Sequence, residues 1–327
     1  MGLESMNILT FNHHESYIRS LADTGHNYEL IVSRGALDLS WNTSSGPIPA
    51  NVTLVNFDEQ VKKKLRSGFY SLVICHTVKN LLWMFFYFKP RYIFIAHIPL
   101  FFDSPLNRLK SISKRLIVEL FQAFHKFSFV AVSEFKRKKW DKKGTTIVLT
   151  PQEISSSSKV EKFSTKSLPP VIVVANKVEE RKEELGFDLI EKINHHHPVL
   201  IIGNNQGLSN AIKPSDHCEF AELFSKGKIY LYTIKQPFGD GYNTAMLEAM
   251  ALGIPIVTVE NPSSPIKHDV NGLVGKNANE LIKHISSLLG NESKRRYLGL
   301  NAKATIEQKF SHHNFINHWR SLIENVG

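Results

Sequence analysis

The chain is short of cysteine, with two in 327 residues, Cys75 and Cys218, far apart and without CxxC spacing. That excludes a disulfide framework and a cysteine-based structural zinc site, and it fits a reducing compartment. Long hydrophobic runs are missing as well. The longest, LLWMFFYF at residues 81–88, falls far short of the roughly 20 residues a membrane span requires and stops at Lys89 and Pro90, so it reads as a buried helix. The opening MGLESMNILTF carries an acidic residue where a secretory leader is basic and lacks an apolar core, so the expected location is the cytoplasm. There is no DxD-type acidic cluster of the kind that holds magnesium.

What is present is the balance of a folded chain: 42% hydrophobic and 21% charged residues, at a length that favours about two domains. The formal charge of +10 predicts attraction to something anionic. Nucleic acid is a poor candidate, because no aromatic-basic recognition motif accompanies the charge. Basic residues gather at Lys110, Lys114 and Arg115, and at Lys136, Arg137, Lys138, Lys139, Lys142 and Lys143. A solvated face is the default reading of such groups. With Trp140 and the apolar LIVELFQAFHKF nearby, peripheral attachment to an anionic inner membrane face is the second reading. The run His195, His196, His197 cannot aim three adjacent side chains at one metal and reads as a solvated turn before Pro198.

Short apolar runs alternate with helical patterns from the start: MNILTF, YELIVS, VTLVNF, SLVICH, YIFIAH, FVAVS and TIVLT read as strands of a parallel sheet. The serine- and lysine-rich SSSSKVEKFSTKSLPP then reads as a linker, and the alternation restarts with VIVVA, PVLIIG, KIYLYTI and IPIVTV. The expected organisation is an N-terminal Rossmann-like domain over 1–155, a linker over 156–170, a second such domain over 171–310 and a closing helix over 311–327. Two α/β domains make a cleft, and ligands of such sheets bind at the carboxyl ends of the strands.

One stretch of the second half carries chemistry: PFGDGYNTAMLEAMALGIPIV, residues 237–257. Asn243 is positioned to cap a helix from about Thr244 to Leu252, and Gly253 with Pro255 supplies stop chemistry. A glycine turn at Gly241 feeding that helix start offers backbone N–H groups and a positive dipole end to a diphosphate. Asp240 and Glu248 flank the turn as acceptors for sugar hydroxyls. The same pattern also fits a plain core helix behind a solvated turn.

The D-x7-E arrangement of Asp240 and Glu248 resembles the E-x7-E region of GT-B glycosyltransferases, in particular the retaining enzymes of glycosyltransferase family 4. VNGLVGKNANELIKHISSLLGN and FSHHNFINHWRSLIENV are similar to that family's NGLL segment and its closing helix, which crosses back onto the first domain. SLVICHT, YIFIAHIP and FVAVSEF are similar to its strands ending in histidine and in VS. The resemblance implies a GT-B fold and a retaining, hexosyltransferase-like enzyme. Such an enzyme moves a sugar from a nucleoside diphosphate donor to a hydroxyl of a glycan or lipid-linked glycan, without a metal or other cofactor. It assigns Asp240 to the donor sugar, the backbone of Gly241, Tyr242, Asn243 and Thr244 to the diphosphate, and Glu248 to the ribose. It places His97 beside the donor sugar as a catalytic group. His13 and His14 follow strand one, where the family has a glycine-rich loop, and with His76 they are the acceptor-side candidates.

The chain departs from the family pattern at the phosphate cations. VIVVA is followed by NKVEERKEELGFDL, where the family's G-R pair is missing and Leu185 stands in the lysine position before Gly186. Lys177, Arg181 or Lys182 is expected to supply the charge, Lys177 first. The departure also motivates a rival reading, a catalytically silent GT-B protein that binds a sugar nucleotide or regulates a partner.

Overall fold

The computed structural model describes residues 5–13, 15–34, 37–41, 46–146, 168–235, 238–239 and 241–325. Asp240, His14 and most of the expected linker lie outside the described residues. Two compact units emerge, each built on its own sheet.

The first unit holds strands β1 (Asn7–Phe11), β2 (Asn27–Arg34), β3 (Leu37–Asp38), β4 (Val52–Asn56), β5 (Leu72–Cys75), β6 (Arg91–Ala96), β7 (Phe127–Ala131) and β8 (Thr145–Thr146). Its helices are α1 (Glu15–Ala22), α2 (Glu59–Ser67), α3 (Val78–Met84), α4 (Pro105–Phe124) and α5 (Glu134–Trp140). The second unit holds β9 (Val171–Val174), β10 (Val199–Ile202), β11 (Ala211–Ile212), β12 (Ile229–Tyr232), β13 (Ile256–Val259) and β14 (Gly272–Gly275). Its helices are α6 (Lys182–Leu185), α7 (Phe187–Asn194), α8 (His217–Ser225), α9 (Thr244–Ala251), α10 (Ala278–Gly290) and α11 (Glu292–Lys309). The last helix, α12 (His312–Asn325), belongs to the first unit.

Both sheets are parallel apart from β3, and both reverse their strand order partway. The first runs β3-β2-β1-β5-β6-β7-β8, with β4 also on β2; the second runs β11-β10-β9-β12-β13-β14. The reversals fall between β1 and β5 and between β9 and β12. Crossovers leave those two points in opposite directions, so the carboxyl ends there open into crevices where ligands of such sheets bind.

Helices cover both faces of the first sheet, which is why its strands are nearly continuous apolar runs. Successive residues point to opposite faces, so Ile8, Leu30, Leu72 and Ile93 meet α1 and α12, while Leu9, Ile31, Val73 and Tyr92 meet the helices opposite. α12 adds Phe315, Ile316, Trp319 and Ile323 to the first of these cores, each worth roughly 1.5–3 kcal/mol of burial. Arg320 donates from Nε to the Thr24 carbonyl, tying α12 to the end of α1. Among the described residues no helix is long and apolar enough to cross a membrane.

Two expectations fail here. LLWMFFYF is not a buried helix: α3 ends at Met84, and Leu82, Phe86 and Phe88 are exposed, Phe86 to 80%. The apolar run is shared between a core face and the surface, which composition alone does not resolve. Trp140 is no surface anchor either. It is buried against Phe94 and Phe129, and its indole Nε1 donates to the Ile98 carbonyl at 2.9 Å.

Candidate functional site

The crevice of the first unit is lined with histidine. His13 follows β1, His76 follows β5 and His97 follows β6, so three neighbouring strands each deliver one imidazole to the same end of the sheet. His76 is buried at 3% exposure, His97 is half-buried and His13 is exposed. Their ring centroids lie 5.0 Å apart for His13 and His97, 5.1 Å for His76 and His97 and 5.8 Å for His13 and His76. Tyr17 on α1 meets His97 edge-on at 5.2 Å.

Hydrogen bonds order the pair. Thr10 sits opposite Ile74 in the β1–β5 register, and its hydroxyl donates to the Ile74 carbonyl at 3.2 Å. With that proton committed, Thr10 Oγ1 accepts from His76 Nε2 at 2.9 Å. His76 Nδ1 in turn lies 2.9 Å from His97 Nε2, so a hydrogen bond joins the buried ring to the half-buried one. The strand register thus fixes the position of a ring two residues past Ile74. Thr10 and Tyr17 carry no sequence signal for this role, because both are ordinary core-facing positions until the fold juxtaposes them.

In the second unit the stretch around Gly241 has the expected local form. Asn243 caps α9, its Oδ1 accepting from the Met246 amide at 2.8 Å. At the other end the Gly253 amide donates to Met250 and the Ile254 amide to Ala249. Met246 and Met250 are fully buried, and Glu248 is itself buried at 8% exposure. Burial and the nearby Glu248 charge push the Tyr230 hydroxyl well above its usual range, and that hydroxyl points at Asn243 Oδ1 from 3.5 Å. Tyr242 is buried and packs edge-on against Phe310.

Gly241 is required twice over. Its φ is +81°, and a Cβ there would stand 2.8 Å from the Ser264 amide nitrogen and 2.9 Å from Asn261 Cγ. Asn261 holds that approach, donating from Nδ2 to the Gly239 carbonyl at 3.2 Å while its Oδ1 accepts from the Ser263 amide. Sequence reading missed this loop, since ENPSSP shows only turn composition; the glycine at 241 was the one available signal.

The loop after β9 is clamped to the loop after β10. Asn176 Oδ1 accepts from the Asn204 amide at 2.7 Å, Asn205 Nδ2 donates to the Ala175 carbonyl, and Asn205 Oδ1 accepts from the Val178 amide. Gly203 makes the clamp possible, because any side chain there would overlap the Ala175 carbonyl. Lys177 emerges from it with φ +55°, and its Nζ lies 3.4 Å from Glu180. Arg181 pairs with Glu184, and Lys182 opens α6. Lys177 and Arg181 therefore follow the carboxyl end of β9 with an acid already beside each. Leu185 lies in the core, its carbonyl accepting from Thr233 Oγ1. Among the described residues no cluster of three or more His, Cys, Asp or Glu side chains is placed to hold a metal.

Known proteins bear on this geometry. Residues 201–305, which contain the Gly241 turn, α9 and Glu248, match the model of the family glycosyl transferases group 1. No curated protein matches the chain. Among solved structures, HepE from Anabaena in complex with UDP-glucose is 15% identical, with 98% of this chain and 99% of that chain covered at a TM-score of 0.71. Sucrose-phosphate synthase from Thermosynechococcus elongatus is 12% identical over 98% and 99%, also at 0.71. A glycosyltransferase from Rickettsia africae is 10% identical over 99% of both chains at 0.68. At these identities the likeness is one of architecture: the chain has the GT-B fold of two Rossmann-like domains, and part of its second unit matches glycosyl transferases group 1.

Proposed function

We propose that the protein is a glycosyltransferase that moves a sugar from a nucleoside diphosphate sugar to an acceptor hydroxyl of a glycan or lipid-linked glycan, with retention of anomeric configuration. The observation that carries the reading is the glycine turn at 241, pressed onto the Asn261–Ser264 loop and feeding an asparagine-capped helix with a buried glutamate one turn in. A diphosphate fits the backbone amides and positive dipole end of such a helix start, from Gly241 through Thr244. Glu248 accepts from the ribose hydroxyls. Asp240 takes the donor sugar.

In the transfer, the bond from the anomeric carbon to phosphate oxygen breaks and one to acceptor oxygen forms, while the acceptor proton leaves with the diphosphate. Lys177, Arg181 and Lys182 offset the charge that develops on the leaving group, and no metal or other cofactor takes part. The family resemblance assigns His97, whose Nε2 is bonded to His76, to the donor sugar, and His13, His14 and His76 are candidates for the acceptor.

Thermal unfolding with UDP, GDP, dTDP and their sugars tests this. A nucleotide at about 100 times its Kd raises stability by about 2.7 kcal/mol. We expect one nucleotide series to raise Tm and Glu248→Ala to abolish the shift; no shift with any nucleotide would sink the reading. A second reading, a GT-B protein that binds a sugar nucleotide without turnover, is favoured by one observation. Leu185 fills with hydrocarbon the place where the family resemblance implies a phosphate lysine. Tight nucleotide binding without donor hydrolysis or transfer would select it.

A further inference from the structure

α4 is apolar on two faces. Val118 and Phe121 are buried on one of them, beneath which α3 and β7 pack. On the opposite face Leu106, Leu109, Ile112, Leu116, Leu120 and Phe124 follow one another at intervals of three or four residues and are 43 to 65% exposed. Such spacing aligns all six along one side of a helix at 3.6 residues per turn. At the carboxyl end the strip continues onto aromatic rings: Phe124 lies 5.9 Å from Phe85, which lies 5.6 Å from the exposed Phe86. Exposed leucines scattered singly call for no explanation; a continuous ridge of them marks a surface that another phase or molecule covers.

Charge on the flanks selects the occupant. At 100° per residue Arg108 falls on one side of the ridge and Lys110 on the other, while Lys114 lies farther round toward Val118 and Phe121 and Arg115 is paired with both Glu119 and Asp141. The sole acid of the helix, Glu119, is engaged by Arg115 at 3.0 Å and Lys142 at 3.4 Å. A second copy of the chain would set these basic flanks against each other, which like charge opposes.

We propose that α4 is an interfacial helix that lies on an anionic lipid bilayer, its leucine ridge and Phe86 sunk below the headgroups and its basic flanks among the lipid phosphates. The basic run on α5 is secondary. Arg137 there is occupied by Glu134 at 2.6 Å, and Lys142 is largely buried against Glu119. α4 begins eight residues past His97 (105 − 97 = 8), so the docking helix leaves the histidine end of the first sheet. The inference stands on the first unit alone and survives if the sugar-transfer reading fails.

Co-sedimentation of the full-length protein with vesicles tests it. Vesicles of phosphatidylcholine mixed with phosphatidylglycerol are expected to retain the protein about tenfold better than phosphatidylcholine alone, and raised salt should release it. Leu109→Glu with Leu116→Glu should abolish retention while leaving the circular dichroism and Tm unchanged, because both leucines are exposed. Arg108→Glu with Lys110→Glu should lower retention on the anionic vesicles and serves as the independent variant if the first fails to fold. Equal retention of wild type and either variant, or no retention of wild type on anionic vesicles, overturns the proposal. So does a wild-type dimer in sedimentation equilibrium that the leucine variant converts to monomer.

Discussion

Nε2 of His97 stands 2.9 Å from Nδ1 of His76, whose own Nε2 is held at 2.9 Å by Thr10. A buried imidazole thus orients a half-buried one through a hydroxyl fixed by strand register. Under the proposed reaction His97→Ala lowers kcat by roughly 100-fold or more, the usual cost of removing a group that acts at the reacting centre. Thr10→Val loosens only the orientation and should cost less. The nucleotide-induced rise in Tm should be unchanged in both, since the nucleotide contacts are assigned to the second unit. Steady-state kinetics beside thermal shift separates these effects.

Gly241→Ala places a Cβ at φ +81° within 2.8 Å of the Ser264 backbone. Strain of this kind costs about 1–3 kcal/mol, and the turn can relieve it only by withdrawing from the Asn261–Ser264 loop. Calorimetry should show Tm lowered by a few degrees without ligand and little further rise on adding nucleotide.

Gly299 on α11 lies so close to Gly253, just past α9, that an added methyl would overlap the Gly253 carbonyl. Gly299→Ala must therefore push α11 from α9, an overpacking cost of about 1–3 kcal/mol or more. Leu300→Ala next door, where the side chain is 59% exposed, should stay within about 0.5 kcal/mol. Urea unfolding of the two variants distinguishes a backbone collision from a general intolerance of that helix.

Burial raises the hydroxyl pKa of Tyr17, Tyr28, Tyr92 and Tyr230 above the usual tyrosine value. Folded-state pKa values above the unfolded ones mean stability that is intact below about pH 10 and lost as pH rises beyond it. Burial lowers His125, so its contribution runs the other way, intact above the usual histidine value and lost as pH falls through the folded one. Phenolate absorbance followed through an alkaline titration should show these four tyrosines ionising only as far-ultraviolet circular dichroism collapses.

The strand plan was legible because parallel strands covered on both faces are written as apolar runs, and VIVVA, PVLIIG and IPIVTV all fall on strands of the second sheet. β14 is not legible as a strand, because GLVG has the composition of a turn and its ladder forms against β13. The helix after Gly241 could be read from Asn243 and Gly253, which are local signals. The Asn261–Ser264 loop, Thr10 and Tyr17 could not, since their roles arise from residues far off in the chain. His13, His76 and His97 were each visible as strand-end histidines, while the hydrogen bond that ranks His76 behind His97 exists only in three dimensions. LLWMFFYF misled because an apolar run does not state which of its side chains the fold will cover.

Because α12 completes the first unit only after the whole of the second has been made, synthesis on the ribosome imposes an order. The N-terminal sheet emerges first yet lacks Phe315, Trp319 and Ile323, so the face carrying Ile8, Ile18 and Tyr28 waits open while the later unit closes its own core. The first half of the chain to be translated is the last to be sealed. A nascent chain halted before His312 would accordingly present that apolar face to chaperones, whereas one halted before Val171 and one halted after Ser311 would differ little in how much of it they expose.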